Sequence, residues 1–375
     1  MNIHQIQYKT ILSFPISLKI ISAGLTLLTN VIQGKMFNSR VARGPLFVTW
    51  LTTYDCNINC SFCSTHQMKK RFPADLTQHK ALSIAHEIGQ SGSWVVGFTG
   101  GEVLLWPYLF DVIKVLKEYN IIVYIVTNGL LIREKADQIL NAGVDSVVVS
   151  IDDIEAHLHD WVRGKKGLYD AAMEGVAYLK NKRKAQKPVL KSTTVFSQLN
   201  YSKFSDIIQK LSSIFDVTSF QPISSGYANG PHNFEKNKED LFFNQKEEPR
   251  VRMSLEKLIR TYPAFQNNYF KKINEFLFSP ELLLRVKCWS PFLRLQILPN
   301  GEVLHCSANQ KIGTVGNLNE SSFLNVWNSP AMKSQRELIR QCQNQCICWT
   351  QDTSFNALFD DIPLLNRFPV FSKKD

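Results

Sequence analysis

Residues 56–63 read Cys56-Asn57-Ile58-Asn59-Cys60-Ser61-Phe62-Cys63, a C-x3-C-x2-C spacing. They come directly after an apolar, β-rich run at 46–51, so the three thiols sit on a loop just past a strand. Three thiolates in one short loop can hold three irons of a [4Fe–4S] cube and leave the fourth iron without a protein ligand. A zinc site with His66 as fourth ligand draws on the same residue types. Spacing favours iron–sulfur and leaves zinc as the alternative.

Outward from this loop the chain alternates. Apolar runs at 46–51, 94–98, 121–126, 146–151, 189–195 and 217–220 are separated by helical patterns around 77–90, 107–119, 132–142, 168–182 and 203–213. Near-continuous apolar strands between helices mean a parallel sheet of βα units. Six such strands suit a barrel, a partial barrel or a doubly wound sheet, an α/β fold in each case. Either architecture places chemistry just past the C-terminal ends of strands. Residues 223–250 break the alternation with Gly226, Gly230, Pro231 and a charged stretch, and read as a linker or mobile loop. A helical pattern near 251–262 is the sixth helix of the series.

The 375 residues, 44% hydrophobic and 20% charged, exclude a disordered, collagen-like or coiled-coil chain. No stretch of roughly 18 strongly apolar residues occurs, which excludes a multi-span membrane protein. The eight cysteines fall in two clusters, with none between Cys63 and Cys288. That grouping points to metal or iron–sulfur sites in a reducing compartment, not to a disulfide scaffold. No signal peptide is recognisable, since Pro15 and Lys19 interrupt the N-terminal apolar stretch.

The cysteine loop and the strand ends after it resemble the radical S-adenosylmethionine (SAM) superfamily over about residues 46–222. The motif has the family's spacing, with an aromatic, Phe62, before the last cysteine. Thr99-Gly100-Gly101-Glu102 after the second strand is similar to the family's GGE segment, which contacts the SAM amino group. Thr127-Asn128-Gly129 comes after the third strand, and Ser150-Ile151-Asp152 ends the fourth, where the family places contacts to ribose or the methionyl carboxylate. Arg163-Gly164 is similar to an RG segment of close relatives, whose arginine fork suits that carboxylate. Each piece has a plainer reading. Gly100-Gly101 can be a turn, Glu102 a helix-start acid, Asn128-Gly129 a turn, Asp152 an N-cap and Arg163 a surface residue. Their placement after consecutive strands favours the site. The family's later glycine-rich adenine motif is not recognisable. The resemblance implies a TIM-like partial (β/α)6 barrel. It also implies SAM contacts at Phe62, Gly100, Gly101, Glu102, Asn128, Ser150, Asp152 and Arg163, and cluster ligation by Cys56, Cys60 and Cys63. The implied chemistry is reductive cleavage of SAM to methionine and a 5′-deoxyadenosyl radical that abstracts hydrogen from a substrate C–H bond. No catalytic residue beyond the cluster and SAM site is assigned.

Pro299-Asn300-Gly301 reads as a hairpin turn between 295–298 and 303–305. Cys288-x12-Gly301-x4-Cys306, with Cys342-x3-Cys346-x-Cys348-Trp349 further on, resembles the SPASM/twitch extension of radical SAM enzymes over about residues 285–350. A full extension carries seven or more cysteines and two clusters. The five here imply one auxiliary [4Fe–4S] cluster, with Cys288, Cys306, Cys346 and Cys348 the favoured ligands and Cys342 an alternative. A four-thiolate zinc knuckle is the competing reading, and His305 is expected to be structural. The domain plan is an N-terminal segment 1–44, a core 45–262, an auxiliary region 278–350 and a tail 351–375.

The net charge of +11 is local: residues 1–54 and 175–205 together hold twelve basic and no acidic residues. Leu18, Ile21, Leu25, Leu28 and Ile32 make one apolar face of a basic N-terminal amphipathic helix. It either lies on an anionic membrane surface or docks on the protein body. The stretch Lys180, Lys182, Arg183, Lys184 and Lys187 could serve nucleic acid, but it lies opposite the site and reads better as a solvated face. The expected substrate is a peptide, with a lipid or small metabolite as the alternative. A reductant such as flavodoxin or ferredoxin is implied, and the expected location is cytoplasmic or peripheral at the inner membrane surface. A non-enzymatic metal scaffold is the reading from another class.

Overall fold

The computed structural model describes residues 44–63, 65, 68–69, 75–224, 240–279, 282, 290–306 and 313–340. The expected N-terminal amphipathic helix, His66, residues 225–239, Cys288, Cys342, Cys346, Cys348 and the tail lie outside the described residues.

Six parallel strands form in the expected places. They are β1 (Phe47–Leu51), β2 (Val95–Thr99), β3 (Ile122–Thr127), β4 (Ser146–Ser150), β5 (Val189–Phe196) and β6 (Val217–Pro222). The helices between them are α1 (Gln78–Gln90), α2 (Leu109–Glu118), α3 (Ile132–Asn141), α4 (Ala156–Arg163), α5 (Leu168–Lys182) and α6 (Phe204–Ile214). Apolar stripes on the helices cover one sheet face. Ile84 and Ile88 of α1 and Val112 and Leu116 of α2 are fully buried, with Val96 and Phe98 of β2 in the same core. Burial alternates along β3, β5 and β6, so the opposite face is only partly covered. On that face Tyr124 lies across Gly97, its registered neighbour, where a Cβ would meet the ring at 2.0 Å.

The sheet is open and larger than six strands. Its order is β6-β5-β4-β3-β2-β1-β7-β8-β9, with β7 (Arg294–Ile297), β8 (Glu302–Leu304) and β9 (Gly316–Asn317). The hairpin predicted at Pro299-Asn300-Gly301 forms, with Gly301 at φ +85° and its amide donating to Leu298 O at 2.9 Å. Its first strand pairs with β1 in parallel, Thr49 opposite Gln296, so the auxiliary region continues the core sheet. Arg294 Nη2 donates to Thr49 Oγ1 at 3.3 Å across that seam.

Two differences from the sequence reading have local causes. α4 lies where no helix is predicted, because its eight residues make only about two turns, too short for the apolar spacing of Leu158, Trp161 and Val162 to stand out. The end of the expected linker is helical: α7 runs Glu248–Thr261, preceded by a 3-10 turn at Gln245–Glu247. An Asn244/Glu247 capping box starts this turn, and Pro249 sits in the first turn of α7, where its missing N–H is harmless. Among the described residues no helix is long and apolar enough to cross a membrane.

The basic stretch at 180–187 is largely neutralised. Lys182 pairs with Asp137 at 2.8 Å, Arg183 forks onto Asp216, Lys187 reaches Asp145 at 3.4 Å and Lys180 donates to Ile214 O. Three of the five charges are thus ion-paired, which weakens the positive field this surface offers a nucleic acid.

Candidate active site

Parallel strands bring their C-terminal ends to one edge of the sheet, and a cavity lies there. Its wall includes Cys56, Cys60 and Cys63 past β1, Gly100 and Gly101 past β2, Asn128 past β3, Ser150 at the end of β4, and Phe62 and Arg163. All three loop cysteines thus share one cavity with six of the eight expected SAM contacts.

Backbone packing fixes the cysteine loop against the glycine pair. Gly101 N donates to Thr53 O at 2.7 Å and Glu102 N to Asp55 O at 2.8 Å. A Cβ on Gly100 would stand 2.5 Å from Thr53 O, and one on Gly101 2.0 Å from Asp55 O. Glycine is required because two backbones touch. Asn128 Nδ2 donates to Asn57 Oδ1 at 2.8 Å, a third strap on the loop.

Glu102 and Asp152 lie behind the wall, not on it. Glu102 is 0% exposed and accepts from Leu104 N at 3.0 Å, Thr127 Oγ1 at 2.7 Å and Asn128 N at 2.8 Å. Burial raises its pKa, and these donors work against that rise. Its carboxylate ties the ends of β2 and β3 together and caps a 3-10 turn at Val103–Leu105, so the plainer helix-start reading describes its contacts. Asp152 is 2% exposed and is not an N-cap. It takes Nε of Arg163 at 2.7 Å and Nη2 at 3.1 Å. Arg163 is only 7% exposed, so the surface reading fails for it. Burial works against its charge, and the Asp152 carboxylate overrides that, leaving the guanidinium more basic than usual.

Sequence reasoning missed His159 and Asn200. His159 Nδ1 accepts from Asp152 N at 3.2 Å, and Asn200 Nδ2 donates to Asp152 O at 2.9 Å. Burial pushes His159 down to about 4, so it is neutral at pH 7. Neither lies in a motif, and no spacing signal marks them.

The family model described as "Radical SAM superfamily" matches residues 50–211. Residues 50–211 are a radical SAM domain. A second model, SPASM, described as "Iron-sulfur cluster-binding domain", matches residues 288–349 of this radical SAM chain. The chain is 30% identical over 134 residues to AdoMet-dependent heme synthase of Oleidesulfovibrio alaskensis, covering 36% of this chain and 34% of that protein. It is 28% identical over 167 residues to the sporulation killing factor maturation protein SkfB of Bacillus subtilis, covering 44% and 39%. The matched regions therefore span less than half the length of these curated relatives. In fold it is similar to Streptococcus suis SuiB bound to precursor peptide SuiA, with TM-score 0.58, 16% identity, and 81% of this chain and 69% of that one covered.

The residues fit a [4Fe–4S] cluster. Burial pushes the Cys60 thiol up to about 12, and burial also raises Cys56, so both are neutral thiols until a metal displaces their protons. Among the described residues no three His, Cys, Asp or Glu side chains converge as ligands for one metal ion, though three cysteines line one cavity. Thiols shared around a cavity suit one thiolate per iron of a cube better than a single zinc. In the auxiliary region Cys306 is half-buried, just past β8. His305 beside it is buried and is pushed down to about 4 by that burial and then by Arg294 and Arg336.

Proposed function

We propose that this chain is a radical SAM enzyme that modifies a peptide by hydrogen abstraction. The observation that carries the reading is the single cavity shared by Cys56, Cys60, Cys63, Gly100, Gly101, Asn128, Ser150 and Arg163. Cys56, Cys60 and Cys63 would each hold one iron of a [4Fe–4S] cube. When bound, the reduced cluster supplies the electron that splits SAM into methionine and a 5′-deoxyadenosyl radical, which takes hydrogen from a substrate C–H bond. Gly100 and Gly101 present bare backbone on the cavity wall, and Asn128 and Ser150 bring polar side chains to it. Ile58, Phe62 and Val126 give that wall an apolar part that excludes water. Cys306, with Cys288, Cys346 and Cys348, would hold an auxiliary cluster.

The peptide class draws support from SkfB, named a maturation protein, and from SuiB, solved with its precursor peptide. A small metabolite is the second reading, favoured by the name heme synthase among the sequence relatives. An external one-electron donor is required in either case. Cysteines that serve as cluster ligands favour a reducing, cytoplasmic setting.

The test is anaerobic reconstitution with iron and sulfide, then addition of dithionite and SAM. Formation of 5′-deoxyadenosine, abolished in the Cys56→Ala, Cys60→Ala and Cys63→Ala variants, is the expected result. A colourless protein that leaves SAM intact refutes it. Transfer of deuterium into 5′-deoxyadenosine from labelled peptides, and not from labelled tetrapyrroles, separates the two substrate classes.

A further inference from the structure

The last turn of α4 is Val162-Arg163-Gly164, and each residue grips the cysteine loop. Val162 O accepts from Ser61 N at 2.8 Å. Arg163 Nη1 stands 3.9 Å from Cys60 Sγ. Gly164, at φ +65°, lies so close to the loop that a Cβ would meet Asn59 O at 2.2 Å. Three consecutive residues of the helix end therefore hold three consecutive residues of the loop, Asn59, Cys60 and Ser61.

Arg163 has little freedom within this clamp. Two of its three nitrogens are forked onto Asp152, and Phe62 lies against the guanidinium with its ring centre 5.2 Å from Cζ. Asp152 is itself fixed from three sides. Its Oδ1 accepts from Val195 N at 3.0 Å, its amide donates to His159 Nδ1, and its carbonyl accepts from Asn200. The fork is therefore satisfied inside the protein, and Nη1 is the nitrogen left to face the sulfur. The pair is neutral as a whole, but its charges are ordered: the guanidinium lies between Asp152 and Cys60. A dipole with its positive end at a ligand sulfur stabilises the more negative, reduced form of a cluster, and N–H contacts to ligand sulfur act in the same direction.

We propose that Asp152 and Arg163 set the reduction potential of the cluster held by Cys56, Cys60 and Cys63, with Asp152 fixing the guanidinium and Nη1 raising the potential through Cys60 Sγ. The inference rests on the cluster assignment made under Proposed function. The step concerned is the addition of one electron from an external donor to the oxidised cluster. Arg163 acts through Cys60 and is a positioning residue.

The test uses the full chain, reconstituted anaerobically, as wild type, Arg163→Gln, Arg163→Lys and Asp152→Asn. Iron content and the midpoint potential are read by EPR during a redox titration. The signal that changes on adding SAM identifies the cluster concerned. Arg163→Gln is expected to shift the one-electron equilibrium toward the oxidised form by tenfold or more, about 59 mV more negative. Lysine cannot both fork onto Asp152 and reach the sulfur, so Arg163→Lys falls between. Asp152→Asn removes the negative end of the dipole while its remaining amide oxygen still accepts from Arg163 and keeps the guanidinium in place, so it moves the potential the other way. A merely structural role gives no such opposed signs. Should Arg163→Gln take up no iron, Arg163→Lys and Asp152→Asn carry the test. Potentials equal to wild type in the iron-loaded variants overturn the inference, whereas a wild type that takes up no iron overturns the cluster assignment.

Discussion

Gly101→Ala isolates what the contact between the cysteine loop and the glycine pair contributes. The added Cβ would stand 2.0 Å from Asp55 O and 2.9 Å from Tyr54 O, against the 3.4 Å at which ordinary contact begins. The obstacle is backbone, so no side chain can rotate out of the way. Relief must separate residues 53–55 from 100–102, which breaks the Gly101–Thr53 and Glu102–Asp55 hydrogen bonds of 2.7 and 2.8 Å. Two lost backbone bonds, with buried amides left short of partners, put the destabilisation at about 2–5 kcal/mol. Gly167→Ala is the control. Its φ is +78° and nothing lies within 4 Å of its Cβ, so only the left-handed backbone penalises alanine, by about 1–2 kcal/mol. Urea denaturation monitored by circular dichroism ranks the two, and iron per chain after reconstitution reports the loop. Gly101→Ala is expected to be the less stable and to take up less iron, and Gly167→Ala to load normally. Equal stability with equal iron would refute the argument from the close approach.

Three further outcomes are expected. A histidine whose folded-state pKa is depressed contributes stability above its ordinary 6.5 and loses it as pH falls toward 4, so His159 withdraws roughly 3 kcal/mol across that window. His159→Asn should flatten the acid side of the stability curve in urea titrations at pH 7, 5.5 and 4, and a curve parallel to wild type disproves the assignment. Cys306→Ala should cut iron from about eight to about four per chain, with the urea midpoint of the unloaded protein unchanged; unaltered iron would remove Cys306 from the ligand set. Because most of the basic stretch is ion-paired, Lys182→Ala with Lys184→Ala should leave retention of RNA in filter binding at low salt unchanged, and a steep salt-dependent loss would revive the nucleic-acid reading.

The strands were legible because each is a short, nearly continuous apolar run, and all six core strands fall within two residues of the expected ends. The cysteine loop was legible because its chemistry is written in spacing, and the cavity gathers all three thiols. Depth was not legible. Glu102 and Asp152 sit past strand ends as a ligand-binding carboxylate would, yet both face inward, because neighbouring donors at Thr127, Asn128, Val195 and Arg163 claim their oxygens. His159 and Asn200 could not be found, since their partner Asp152 lies 7 and 48 residues away. The pairing of β7 with β1 escaped for a related reason: hairpin signals identify a strand's next neighbour in sequence and say nothing of a parallel partner about 245 residues earlier.

That pairing bears on how the protein is made. β1 carries the cysteine loop at its end, and one of its two edges is completed only by Arg294–Ile297. During synthesis from the N-terminus, β2 can join β1 early, while the other edge waits for some 245 further residues. Until then a nascent chain presents unpaired strand amides and carbonyls beside the three thiols of the loop, a template for pairing with other chains. A truncation before residue 294 would leave that edge open permanently, so soluble expression of the core should depend on keeping the hairpin that completes it.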